Sequence, residues 1–404
     1  MKYFLQLFIL LFLIEGCNSQ PGTKTKEAAP VAAEATKPVI IDTTTAKADP
    51  LLHQYARFLA GMPTTGNAVP AKLQNNAFYK KYEVEMDTNF HKIEVNRLSK
   101  MRDWGNVELA TEHAQPGVLF YPFSGPDILH AITFYPNATQ YVMIAMERPG
   151  TIPNIGKMDS AQAAYYLNSV YQSLQDIFEK SYFITHKMIQ DLQKVKVNGV
   201  APIICLFLER TGHEVVSFQK KHLNDNGTVS ELPADSLPTH LNDFIEISVR
   251  TPGSDTLRKI TYFRANLGDQ TFENLPALKN NKPFLNYINS LPDFYMYTKS
   301  ASYLMNYASF SAVRDVCLTK SKSILQDDTG IGYKYFDKKT WHVKLYGHYV
   351  TPVRDFKGVY DSVLAEAYKT DSVNVKHLSF SLGYHWGNQS NQNLMKAERV
   401  SGKP

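Results

Sequence analysis

The sequence predicts an α+β fold: an antiparallel meander packed with several amphipathic helices and preceded by a disordered tether. Three observations carry that expectation. After Asp159, the residues Ala163, Leu167, Val170, Tyr171, Leu174, Ile177 and Phe178 recur at helical spacing and form one apolar stripe. Between Ile203 and Arg264, an apolar run, the alternating segment Asn242–Arg250 and their neighbours are joined by turns at Arg210–His213 and TPGSDT (251–256), and tight turns imply antiparallel neighbours. Residues 18–50 contain no aromatic residue and are dominated by Ala, Thr, Lys and Pro, so they offer too little apolar surface to offset the entropy of ordering.

The N-terminus decides where the chain resides. Lys2 is followed by an apolar run, Tyr3 to Ile14, broken only by Gln6. The run falls short of the ~20 residues a helix needs to span a bilayer and has the size of a signal-peptide core. Gly16 then precedes Cys17, and this small-residue-then-cysteine ending resembles the lipobox of bacterial lipoproteins; Ile14 fits that motif, whereas Glu15 is an uncommon occupant. The resemblance implies a signal peptide over residues 1–16 and a Cys17 that carries a diacylglycerol thioether and an acylated amine. Several acyl chains anchor a protein firmly, because each buried methylene contributes ~0.8 kcal/mol. The alternative is an exported protein with a chance cysteine near its cleavage site. Asn18, in place of the Asp that signals inner-membrane retention, points to the outer membrane, and the lack of an acidic run after Cys17 points to a periplasmic face. Residues 17–50 form the linker, which as a random coil reaches on the order of 30 Å.

Residues 51–404 read as one globular body, more helical over 51–195 and mixed over 196–404, with no second linker and no internal repeat. The whole chain has 43 Lys and Arg against 38 Asp and Glu, a net charge of +5 that is too weak and too evenly spread for a nucleic-acid footprint. A long helix is expected from about Pro70 to Trp104, and another from Asp159, where Asp159 and Gln162 make a capping-box pattern. Strands are expected at Val118–Tyr121, Ile203–Leu208, Glu214–Lys220, Asn242–Arg250, Leu257–Arg264, Ile331–Phe336, Trp341–Tyr349 and Leu378–Trp386, with helices from Phe272 to Leu325.

The densest local signature is YPFSGPDILHAITFYP, residues 121–136. A strand ends in a Ser-Gly-Pro turn that opens a helix, and Asp127 and His130 share one helix face, as an acid/base or metal pair requires. The structural alternative has Ser124 as the cap, Pro126 in the first turn and Asp127 completing a Ser-x-x-Asp capping box. Other motifs are weaker. HEVVS, residues 213–217, lacks the second histidine of a zinc-protease motif, and His342 and His348 lie roughly 20 Å apart on a strand, too far for one ion. Ser217 and Lys220 are spaced as Ser-x-x-Lys but point to opposite faces of a strand. QDDTGIGY, residues 326–333, offers Asp327 and Asp328 as an oxygen-rich cation loop, or is simply a polar loop. No cofactor-binding motif is present. Cys205 and Cys317, the thiols beyond Cys17, read either as one bridge or as two buried free thiols. Asp159-Ser160-Ala161, Asp235-Ser236-Leu237 and Asp361-Ser362-Val363 resemble acceptor triplets of a periplasmic O-glycosylation system.

YPFSGPDILHAITFYP with YVMIAMERPG, and the tail YKYFDKKTWHVKLYGHY and LSFSLGYHWGNQSNQNL, resemble an uncharacterised family of bacterial exported proteins over most of residues 51–404. That resemblance implies one integral fold and brings no activity with it. The expected function is a non-catalytic binding or structural lipoprotein of the cell envelope that contacts a glycan, lipid or protein; the rival is an envelope hydrolase using Asp127 and His130 near Ser124-Gly125-Pro126. If Cys17 is acylated, labelled palmitate enters the wild-type chain and is absent from Cys17→Ala, and globomycin leaves an uncleaved precursor. A normally processed, unlabelled product contradicts the anchor.

Overall fold

The computed structural model describes residues 48–183, 198–233, 235–251, 253–272, 281–353, 360–387 and 391–400. The expected signal peptide, Cys17 and nearly all of the linker lie outside the described residues. The first described helix is α1 (Pro50–Leu59), capped by the Asp49 carboxylate on the Leu51 N–H. It is followed by α2 (Ala71–Gln74) and α3 (Ala77–Ile93), then a π-helical stretch, Glu94–Leu98, which leads into α4 (Ser99–Glu108) and α5 (Ala110–Ala114). The single long helix expected over Pro70–Trp104 is broken at Asn75–Asn76, where the Asn76 side chain caps α3 by accepting from the Phe78 N–H at 2.8 Å; beyond that break the chain stays helical through the π turn.

Next come β1 (Val118–Tyr121), α6 (Ile128–Phe134) and β2 (Gln140–Ala145). The long helix α7 (Ser160–Lys180) starts with the expected capping box: Asp159 accepts from the Gln162 N–H at 2.8 Å, and the Gln162 side chain accepts from the Asp159 N–H at 3.0 Å. Then follow α8 (Ala201–Arg210), β3 (Glu214–Leu223), β4 (Val229–Glu231), β5 (Asp243–Arg250) and β6 (Leu257–Arg264). The rest is α9 (Lys282–Ser290), β7 (Phe294–Thr298), α10 (Ser311–Lys320), β8 (Ser321–Gln326), β9 (Trp341–Gly347), α11 (Ser362–Thr370) and β10 (Asn393–Arg399).

The ten strands among the described residues join one sheet in the order β4-β3-β5-β6-β2-β1-β7-β8-β10-β9. The fold is mixed α/β, which corrects the expectation of an antiparallel meander. That expectation holds for β3, β5 and β6, and β8, β10 and β9 are also antiparallel, but β6-β2-β1-β7-β8 run parallel through the centre. Central parallel strands are covered on both faces, so they read as short apolar runs without alternation. Leu119 and Tyr121 enter one core layer with α3, α4, α6, α7 and α8, while Val118 and Phe120 enter the other with α9, α10 and α11.

Four more expectations are corrected. Ile203–Leu208 is helical, lying within α8; Ala201 to Glu209 are all buried, and a helix apolar all round carries no stripe to separate it from a buried strand. Leu378–Trp386 is not a strand: Leu378, Phe380 and Leu382 dip alternately into the core, yet the segment joins no ladder. Ile331–Phe336 holds a 3₁₀ turn, Tyr333–Tyr335, and the stretch read as helical from Phe272 to Leu325 contains β7 and most of β8.

Cys205 and Cys317 are both free and fully buried, in core layers on opposite sides of the sheet, which excludes a bridge between them. Burial pushes both thiols far up from the usual range. Ellman's reagent is therefore expected to find neither thiol in the folded chain and both after denaturation; rapid labelling of the native protein would contradict this packing.

Candidate functional site

The sheet order creates the site. From β1 the chain passes through α6, on one face, to β2 on its left; from β7 it passes through α10, on the other face, to β8 on its right. Right-handed crossovers in opposite directions require helices on opposite faces. The connections after β1 and β7 therefore diverge, leaving a crevice at the carboxyl ends of the strands, where open α/β sheets bind ligands.

The turn after β1 brings Asp127 into that crevice. Phe123 and Gly125 take positive φ of 57° and 54°, and Asp127 caps α6, accepting from the His130 N–H at 3.3 Å. This corrects the placement of the cap at Ser124. The Ser124 hydroxyl instead donates to the Gly125 carbonyl at 2.8 Å and to the Ile144 carbonyl at 3.4 Å, with no contact to His130.

Asp127 and His130 do come together. His130 Nδ1 lies 2.8 Å from Asp127 Oδ1, and both residues are buried. Sequence reasoning missed the groups that complete the cluster. Lys299, directly after β7, places Nζ 3.0 Å from Asp127 Oδ2 and 3.0 Å from His130 Nδ1, and also donates to the Ser181 carbonyl. The Tyr121 hydroxyl donates to Asp127 Oδ2 at 3.0 Å. Arg97, in the π turn, acts on Asp127 through its charge and donates to the Ile177 carbonyl at 3.0 Å. Ile177 and Ser181 lie at the end of α7, where the helix dipole favours cations.

Burial opposes every charge here. It tends to raise the Asp127 pKa, but His130 and Lys299 outweigh it and hold the carboxyl at about 2. His130 is lowered to about 4, chiefly by burial, with Lys299 and Arg97 adding repulsion against the pull of Asp127. Burial lowers Lys299 as well, although Asp127 supports its charge. A neutral imidazole beside an ionised carboxylate supplies two of the three members of an acid/base triad, and His130 Nε2 has no hydrogen-bond partner among the described residues.

A second buried cluster closes the crevice. After β8, Asp327 Oδ1 accepts from the Thr329 N–H at 3.0 Å and from its hydroxyl, while Asp328 Oδ1 lies 3.0 Å from Asn393 Nδ2 and 2.9 Å from His385 Nε2. Burial and then the charge of Asp328 raise the Asp327 pKa. Burial disfavours a charged His385, but Asp328 and Asp327 prevail and raise its pKa. Gly383, at φ +58°, sits so close to Asp327 that a Cβ there would collide with the carboxylate. The segment around Gly383 and His385 is thereby pinned over the strand ends. Among the described residues no group of three or more His, Cys, Asp or Glu is arranged to hold a metal ion, and the Asp327 and Asp328 oxygens are engaged as just described.

Asp127, His130, Lys299, Asp327 and Asp328 are buried, and of the first cluster Arg97 lines a pocket. A pocket of about 390 Å³ lies between the π turn and the Leu378–Trp386 segment, and Arg97 lines it. No protein-family model matches the chain, and no curated protein matches its sequence. No helix among the described residues is long and apolar enough to cross a membrane.

The neutral state of His130 has a measurable consequence. A group whose folded pKa is depressed binds fewer protons folded than unfolded, so its stabilisation is complete above the unfolded value of ~6.5 and is lost as pH falls through about 4. The loss from His130 is at most about 3 kcal/mol across that window. His213, also lowered to about 4 by burial, acts in the same sense. Urea denaturation between pH 7 and pH 4 is expected to show a steep fall in stability that His130→Asn makes shallower. An unchanged slope would mean that His130 is not buried neutral.

Proposed function

We propose that the chain is a lipid-anchored, non-catalytic binding module of the cell envelope, held through Cys17 to the outer membrane with its α/β body facing the periplasm. Its partner is a glycan, lipid or protein. The observation that supports binding over catalysis is the state of the switch-point crevice. Asp127, His130, Lys299 and Tyr121 engage one another out of contact with solvent, and the two neighbouring aliphatic hydroxyls, Ser124 and Thr133, donate to backbone carbonyls. Catalysis needs a substrate-accessible space within hydrogen-bond reach of such groups, whereas Asp127, His130 and Lys299 are buried and Arg97 is the member of the cluster that lines the pocket of about 390 Å³.

The envelope hydrolase is the second reading, favoured by the Asp127–His130 pair and the unpartnered His130 Nε2. The two readings separate in one assay. Purified chain is expected to give no turnover of p-nitrophenyl esters, phosphates or glycosides above background, and neither Asp127→Asn nor Ser124→Ala should change that. Turnover abolished by both substitutions would replace the binding reading with the hydrolase.

A further inference from the structure

The pocket beside Arg97 has a lining whose chemistry is one-sided. Arg97 and Lys100, three residues apart on one helical face, meet His377 from the opposite wall, and no carboxylate lines the space among the described residues. The carboxylate that acts on Arg97, Asp127, is already paired with Lys299. The larger pocket of about 530 Å³ beside Arg210 is a contrast: there Arg210 and Arg102 are matched by Asp87 and Glu94. Among the described residues, the side chains of Lys100, His377, Asn96 and Ser379 make no hydrogen bond or ion pair, so their donors are available to a ligand.

Trp386 completes the wall. It is 37 % exposed, an unusual position for the largest apolar side chain, whereas Trp104 and Trp341 are buried. An exposed indole face receives the C–H face of a sugar ring, and amide and hydroxyl side chains such as Asn96 and Ser379 match sugar hydroxyls. The rear wall is rigid, because Gln392 accepts from Ser381 at 2.7 Å and donates to the Leu378 carbonyl. A site with this volume takes one or two sugar units.

We propose that this pocket binds an acidic saccharide, its ring against Trp386 and its carboxylate or phosphate against Arg97, Lys100 and His377. This rests on the reading of the chain as a binding module and names its ligand class. Arg97 gives one Nη1–H to the Ile177 carbonyl and has further donors for the anion, and the exposed Lys100 adds a point charge. The ligand is either a free acidic sugar or an acidic unit within a glycan chain.

The test is a titration of the full-length chain in detergent, following tryptophan fluorescence and heat, with galacturonate, trigalacturonate, glucose 6-phosphate and glucose. Charged sugars are expected to bind and to perturb Trp386, with glucose weaker by roughly tenfold or more, the value of one charge-assisted hydrogen bond. Lys100→Glu, a surface change, and Trp386→Ala should each weaken the charged sugars by a similar factor, and added salt should weaken them further. Tighter binding of trigalacturonate than of galacturonate identifies a glycan chain as the source; equal binding identifies the free sugar. The proposal is overturned if glucose binds as well as galacturonate, if no charged sugar binds, or if both variants bind as wild type does. None of these results is turnover, so they leave the binding reading to its own assay.

Discussion

The carboxylate of Asp127 joins the elements that meet where the parallel strands end. Tyr121 reaches it from β1, His130 from α6 and Lys299 from the end of β7, and Arg97 adds its charge from the π turn. Taking an ion out of water costs several kcal/mol, and deleting one member of such a pair costs about 3–5 kcal/mol because the other is left uncompensated. The arrangement thus gains little net stability but tolerates few alternatives. Lys299 and Arg97 also meet carbonyls at the end of α7, so the same charges hold that helix against the strand ends.

This arrangement explains why the crevice is occupied by the chain itself. In an open α/β sheet, the divergence of the connections after β1 and β7 leaves a gap. Here Asp127 from the connection after β1 pairs with Lys299 after β7, and the segment around Gly383 and His385 is held against Asp327 and Asp328 after β8. The accessible surface is consequently displaced outward, to the pocket where Arg97, the outermost member of the buried cluster, meets the exposed Trp386. The ionisable groups of the closed network are perturbed by burial, while the donors of Lys100, His377, Asn96 and Ser379 lie beside it.

Some of this was legible residue by residue. The Asp159–Gln162 capping box needs only neighbours in sequence, and it is present as expected. The pairing of Asp127 with His130 was visible because the two are three apart at a helix start, although the cap proved to be Asp127 and not Ser124. Lys299 was invisible because it lies 169 residues from His130 and reaches it only when β7 settles beside β1. The segment Leu378–Trp386 misled for another reason. Its alternation is real, but alternation reports which residues are buried, not whether the backbone has a ladder partner.

The sequence by itself determined local features, the start of α7 and the antiparallel run through β3, β5 and β6, and it raised the expectation of an anchored, tethered body. Only the tertiary structure decided that the sheet's centre is parallel, that Cys205 and Cys317 face opposite core layers, and that Asp127, Lys299 and Arg97 share one charge network. The physical reason is range. Capping and periodicity act over a few residues, whereas strand order and buried charge pairing arise only when segments far apart in the chain exclude water together.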